Sequence, residues 1–90
     1  MEYHFLKYPK TVVALAEEIN RVTNDYNARR IGNEELESII KWFASNCRDK
    51  LFRGVDDYNP SVKKIIGKTR VKLIDQLLEE HQLTHFKGVI

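Results

Sequence analysis

One cysteine, two prolines and no long apolar run set the first limits on this 90-residue chain. The single thiol, Cys47, has no partner for an internal disulfide, and a reducing cytoplasm is the expected location. The apolar residues come in short groups, far from the roughly 20 in a row that a helix needs to cross a bilayer. The N-terminus, from Met1 to Pro9, lacks both the basic and the apolar region of a signal peptide. A large charge of one sign is also missing. The net charge is only +2, short of the excess expected of an obvious nucleic-acid packer.

What is there is an ordinary globule. Hydrophobic residues make up 42% of the chain and aromatic residues 10%, enough to argue against wholesale disorder. Ninety residues have surface enough for one core, so one domain over 1–90 is expected. The two prolines stand at boundaries. Pro9 bars Tyr8 from helix and closes an extended arm over 1–9, while Asn59-Pro60 reads as an N-cap followed by proline at the first helical position.

Between them lie two amphipathic segments. Thr11 is a plausible N-cap, followed by Val12, Leu15, Ala16, Ile19, Val22 and Tyr26 at helical spacing, with Glu17, Glu18, Asn20 and Arg21 outside. Gly32 is expected to supply the turn, and Asn33 to cap a second helix with Glu34 and Glu35 in its first turn. That helix carries the stripe Leu36, Ile39, Ile40, Phe43, Ala44, Cys47 and Leu51.

Beyond Pro60 the apolar pattern changes phase. In one straight helix Val62 and Ile66 would share a face, with Val71, Ile74 and Leu78 on roughly the opposite side beside Lys64 and Lys68. A break at Gly67 removes the conflict. The expected fold is therefore all-α, a single compact bundle of about four helices over 11–29, 33–52, 60–66 and 69–82. Extended arms at 1–9 and 83–90 flank it, the second with enough strand character to pair with residues 2–7.

The charge is local. Residues 60–74 hold Lys63, Lys64, Lys68, Arg70 and Lys72 and no acid, whereas residues 1–52 balance eight basic against eight acidic side chains. A short helix, a glycine and a basic second helix resemble a helix-turn-helix, in which Lys63, Lys64, Lys68 and Lys72 would neutralise phosphates and Gln76 would reach a base edge. Against this, Lys63 stands where such turns carry a small residue, and Glu79 and Glu80 would repel a phosphate backbone. A solvated basic face on a plain bundle is the competing reading. Arg70 falls inside the apolar arc, and a core arginine demands a partner, expected in Asp56 or Asp57. Trp42, Phe52 and Tyr58 form either an exposed aromatic interface or, for Trp42, a cover between core and N-terminal arm.

The chemistry-bearing residues point away from catalysis. Gly67-Lys68-Thr69 lacks the upstream glycine of a phosphate loop, Val62 standing in its place. His81 and His85 have i, i+4 spacing without further ligands, and no nucleophile-base set stands out. No catalytic residue, metal, cofactor, small-molecule substrate or membrane contact is expected. The reading is a small non-enzymatic intracellular adaptor that binds a protein partner or itself, with a nucleic-acid-binding regulator as the alternative.

The stretches Thr11-Val-Val-Ala-Leu-Ala-Glu-Glu-Ile-Asn20, Glu34-Glu-Leu36, Lys50-Leu-Phe-Arg-Gly54 and Ile66-Gly-Lys-Thr-Arg-Val-Lys-Leu-Ile74 resemble a family of small uncharacterised proteins of Gram-positive bacteria. The resemblance covers roughly residues 11–80. It implies a compact helical domain and brings no activity or site residues.

Overall fold

The structure, a computed structural model, describes residues 3–53 and 57–87, with side chains up to Leu78. Four helices follow one another: α1 (Val12–Asn27), α2 (Asn33–Asn46), α3 (Arg48–Leu51) and α4 (Pro60–Lys87). Their apolar stripes meet in one core. Leu15, Ile19 and Val22 of α1 close against Leu36, Ile40 and Phe43 of α2, Leu51 of α3, and Val62, Ile74 and Leu78 of α4. No helix among the described residues is long and apolar enough to cross a membrane.

The local chemistry explains most boundaries. Thr11 caps α1, its Oγ1 accepting from the Ala14 amide at 3.0 Å. The helix ends in a left-handed residue, but that residue is Arg29 (φ 62°) and not the expected Gly32. The amides of Arg29 and Arg30 donate back to the carbonyls of Tyr26 and Asp25, which closes the last turn. Gly32 is freed to serve as the N-cap of α2, where its own amide donates to the Glu35 carboxylate at 2.9 Å. Asn33, expected as that cap, is the first helical residue.

The second helix was expected to run unbroken over 33–52, and it does not. Cys47 leaves helical geometry (φ −122°, ψ 35°) and separates α2 from the single turn of α3. Ser45 and Asn46 precede it, short polar residues that favour local side-chain bonding over helix, and Asn46 Nδ2 donates to the Trp42 carbonyl at 3.0 Å. The register survives the break, so Cys47 and Leu51 still point into the core.

α4 breaks where the phase argument places it. Gly67 adopts φ 86° and ψ 166°, a region open in practice to glycine alone, and divides α4 into limbs 60–66 and 68–87. The first limb buries Val62 and Ile66, the second Ile74, Leu77 and Leu78, and Ile65, Val71 and Leu73 are half-buried. Asn59 caps the first limb as expected, Oδ1 accepting from Ser61 N at 2.9 Å.

The two termini differ from each other. Residues 3–6 form neither helix nor strand, with Tyr3 and Phe5 turned inward and His4 and Leu6 outward. Phe5 meets Phe43 edge to face at 5.6 Å, and Pro9 is buried. The C-terminal arm expected over 83–90 is helical as far as Lys87 instead, because residues 68–87 contain no glycine or proline to stop the limb. The helix over 83–87 replaces the strand expected to pair with residues 2–7, while Glu2 and residues 88–90 lie outside the described residues.

Candidate interaction surfaces

The break at Gly67 is held from outside by a polar row on α1. Asn20, Thr23 and Asn24 lie three and four residues apart, on one helical face. Asn20 Nδ2 donates to the Ile65 carbonyl at 3.2 Å, satisfying an acceptor in the last turn before the glycine. Thr23 is fully buried and fully used. Its hydroxyl shares a proton between the carbonyls of Ile19 (2.9 Å) and Asn20 (3.0 Å), and accepts from Arg70 Nε at 2.6 Å. A second Arg70 nitrogen donates to Asn24 Oδ1.

Arg70 therefore finds neutral oxygens on α1, and of its two expected partners Asp57 is not among its contacts. Asp57 is engaged elsewhere: it accepts from Lys63 Nζ at 3.1 Å and from the Tyr58 amide at 2.8 Å, and the Lys63 bond holds its carboxyl below the usual range. Asp56 lies outside the described residues. The geometric reason is the glycine break, which turns the start of the second limb toward α1.

Two of the five cations in 60–74 are thus consumed inside the molecule, Lys63 by Asp57 and Arg70 by α1. Lys64, Lys68 and Lys72 remain exposed, and none of them forms an ion pair among the described residues. Lys68, Lys72 and Gln76 are four residues apart on the second limb, all three exposed, and they form one outward row. Lys64 precedes the break. The break itself is a single residue, shorter than the three to four residues that join the helices of a helix-turn-helix.

The aromatic residues do not form the patch expected of Trp42, Phe52 and Tyr58. Tyr58 is buried at 8% exposure, and its hydroxyl donates to Asp75 Oδ1 at 2.8 Å. Burial, and then this bond to a carboxylate, raise the pKa of the phenol far above its ordinary value. Phe52 is half-buried and stacks on Tyr58 at 5.3 Å, the two joined by an isolated antiparallel bridge. Trp42 belongs to a different neighbourhood. Its indole nitrogen donates to the Lys7 carbonyl at 3.0 Å, Tyr8 packs edge to face on its ring at 5.7 Å, and Lys7 Nζ lies 5.6 Å from the ring centre. Of its two readings, the cover between core and arm is the one realised.

The strap that Trp42 helps to hold is anchored on α1 by Arg21, exposed as expected, and by Glu18, which was expected in solvent and is not. Glu18 is buried at 9% exposure, and its carboxylate accepts from the Leu6 amide at 2.7 Å and from Arg21 at 2.6 and 3.0 Å. Arg21 also donates to the His4 carbonyl (3.0 Å) and the Tyr3 hydroxyl (3.1 Å), and Tyr3 donates to Asp25. The Arg21 bonds, helped by the Leu6 amide, pull the Glu18 pKa down against the opposing effect of burial. Burial and the bond to Asp25 push Tyr3 up to about 12. The available signal was the pairing of Glu18 and Arg21 at i, i+3 beside the apolar stripe, with Tyr3 and Phe5 alternating inward.

This strap, residues 3–10, and the first turn of α1 leave apolar side chains in solvent. Leu6 (49%), Tyr8 (67%) and Val13 (49%) are the exposed large hydrophobic residues among those described, and all fall within residues 6–13. The described residues contain no cluster of three His, Cys, Asp or Glu side chains able to hold a metal. No curated protein and no solved structure matches the chain. A family model described as a conserved hypothetical protein matches residues 6–79, which take in the strap from Leu6 onward, all three polar anchors of the Gly67 break and the lysine row. The chain belongs to that family of conserved hypothetical proteins.

Proposed function

We propose that this protein is a small, non-enzymatic, cytoplasmic interaction module that binds a protein partner through its N-terminal strap. One observation carries the reading: among the described residues, the large apolar side chains left exposed, Leu6, Tyr8 and Val13, fall within eight residues that run from the strap into the first turn of α1. Aromatic anchors dominate protein interfaces, and Tyr8 is held edge to face on Trp42. The segment is also held in place before any partner arrives. Glu18 and Arg21 fix the Leu6 and His4 backbone, and Trp42 fixes that of Lys7, so less ordering entropy is lost on binding.

The test is site-specific photo-crosslinking in the host cell with the reactive side chain at position 8, and at Glu17 as an exposed control. A discrete adduct specific to position 8, weakened by Leu6→Asp or Val13→Asp in a folded protein, is expected. A dimer of the chain itself counts as such an adduct. Equal labelling at both positions would remove the proposal.

A further inference from the structure

The second limb of α4 carries a surface that the strap does not touch, and we infer that it binds the phosphate backbone of duplex DNA. Three lysines are available for phosphate contacts. Lys64, Lys68 and Lys72 are exposed and free of ion pairs among the described residues, whereas Lys63 and Arg70 are tied to Asp57, Thr23 and Asn24. The outward row on the limb is built to lie along a groove. Lys68, Lys72 and Gln76 repeat every four residues, so they rise about 6 Å per step along one helical edge. Gln76, at the far end, has the amide that pairs with an adenine edge in the major groove. Asp75, which accepts from the Tyr58 hydroxyl at 2.8 Å, and Glu79 and Glu80 follow further along the limb, so the phosphate contacts fall at its lysine end.

The chemistry of the face separates this partner from others that attract lysines. A membrane-surface helix needs large apolar residues free to enter the lipid. Here Ile74, Leu77 and Leu78 are spent in the core. The major groove of duplex RNA is too deep and narrow for side chains, while that of B-form DNA admits a helix. The one-residue break at Gly67 is too short for a helix-turn-helix, so contacts are to phosphates first, with little sequence preference.

Titration of a short labelled DNA duplex with the whole protein, between about 50 and about 200 mM salt, tests the inference. Three released counterions give a log–log slope of about −3, and about −1 for the Lys68→Ala, Lys72→Ala double variant. The double variant should keep the wild-type circular dichroism, since both side chains are exposed. Tyr8→Asp should leave the slope unchanged, which separates failure here from failure of the strap reading. Absence of binding at the lower salt, a slope untouched by the double variant, or tighter binding to phosphatidylglycerol vesicles or an acidic peptide would each overturn the inference.

Discussion

Asn20 and Ile65 meet at the point where α4 changes direction: the Asn20 side-chain amide donates to the Ile65 carbonyl at 3.2 Å. Five residues further along α4, Arg70 bonds Thr23 and Asn24 on the same face of α1. The two limbs of α4 are thus each tied to α1 across the glycine, and their mutual direction is a property of α1 as much as of Gly67.

Arg70→Ala should lower stability by about 1–3 kcal/mol, because a charged donor with two short bonds is lost from a half-buried site. Arg70→Lys should recover only part of this, since one ammonium cannot reproduce the fork that reaches Thr23 and Asn24 together. Denaturant midpoints of the three proteins give the comparison. An unchanged midpoint in Arg70→Ala would mean that water serves Thr23 and Asn24 equally well.

Gly67→Ala should cost about 1–3 kcal/mol through backbone strain alone, for a Cβ there would meet nothing within 4 Å but the φ of 86° is closed to alanine. Gly32→Ala is the control. Its Cβ would touch Glu35 Oε1 at an ordinary 3.6 Å, with no left-handed φ, so the loss should be visibly smaller. Equal melting temperatures for the two variants would contradict the assignment of strain.

Arg29→Gly should stabilise the protein by about 0.5–1 kcal/mol. Arg29 occupies the left-handed position that closes α1 at φ 62°, where a side chain costs energy that glycine avoids. Its backbone bonds to Tyr26 need no side chain. Thermal melting checks the sign.

Acid should loosen the strap through Glu18. Its folded pKa lies below the ordinary carboxylate value, so its contribution is complete above about pH 4.3 and is lost as pH falls through the lower folded value. Glu18→Gln should therefore melt below wild type near neutrality, with the two curves converging in acid. Cys47 reports the same event. It is 3% exposed, its Sγ lies 3.7 Å from the Lys7 carbonyl, and burial raises its pKa, so thiol labelling should be slow in the wild type and faster in Glu18→Gln. Equal labelling rates would show that the strap does not shield Cys47.

The sequence disclosed the parts of this molecule governed by periodicity. The stripes of α1 and α2 are buried as their spacing requires, and the phase reversal at Gly67 follows from Val62 and Ile74 needing the same core from incompatible angles. Long-range polar pairing was not legible. Glu18 looks like any outward carboxylate until Leu6 is brought to it across the strap, and Arg70 has equally plausible partners in Asp57 and Thr23 until the limb's direction is known. The aromatic residues failed for a similar reason. Trp42 and Tyr58 have the same composition signal, but one is covered by Tyr8 and the other reaches Asp75.

A reversal of phase concentrated in one residue makes chain length around it a structural quantity. Inserting one residue after Gly67 would rotate the second limb by about 100°, carrying Ile74 and Leu78 toward solvent and Lys72 toward the interior. Inserting four would carry the limb slightly past a full turn and largely restore the facing, yet it would slide the limb about 6 Å and take Arg70 out of reach of Thr23. The segment between Val62 and Ile74 is in this sense a ruler, intolerant of added or missing residues at a point where nothing fills the space beside the backbone.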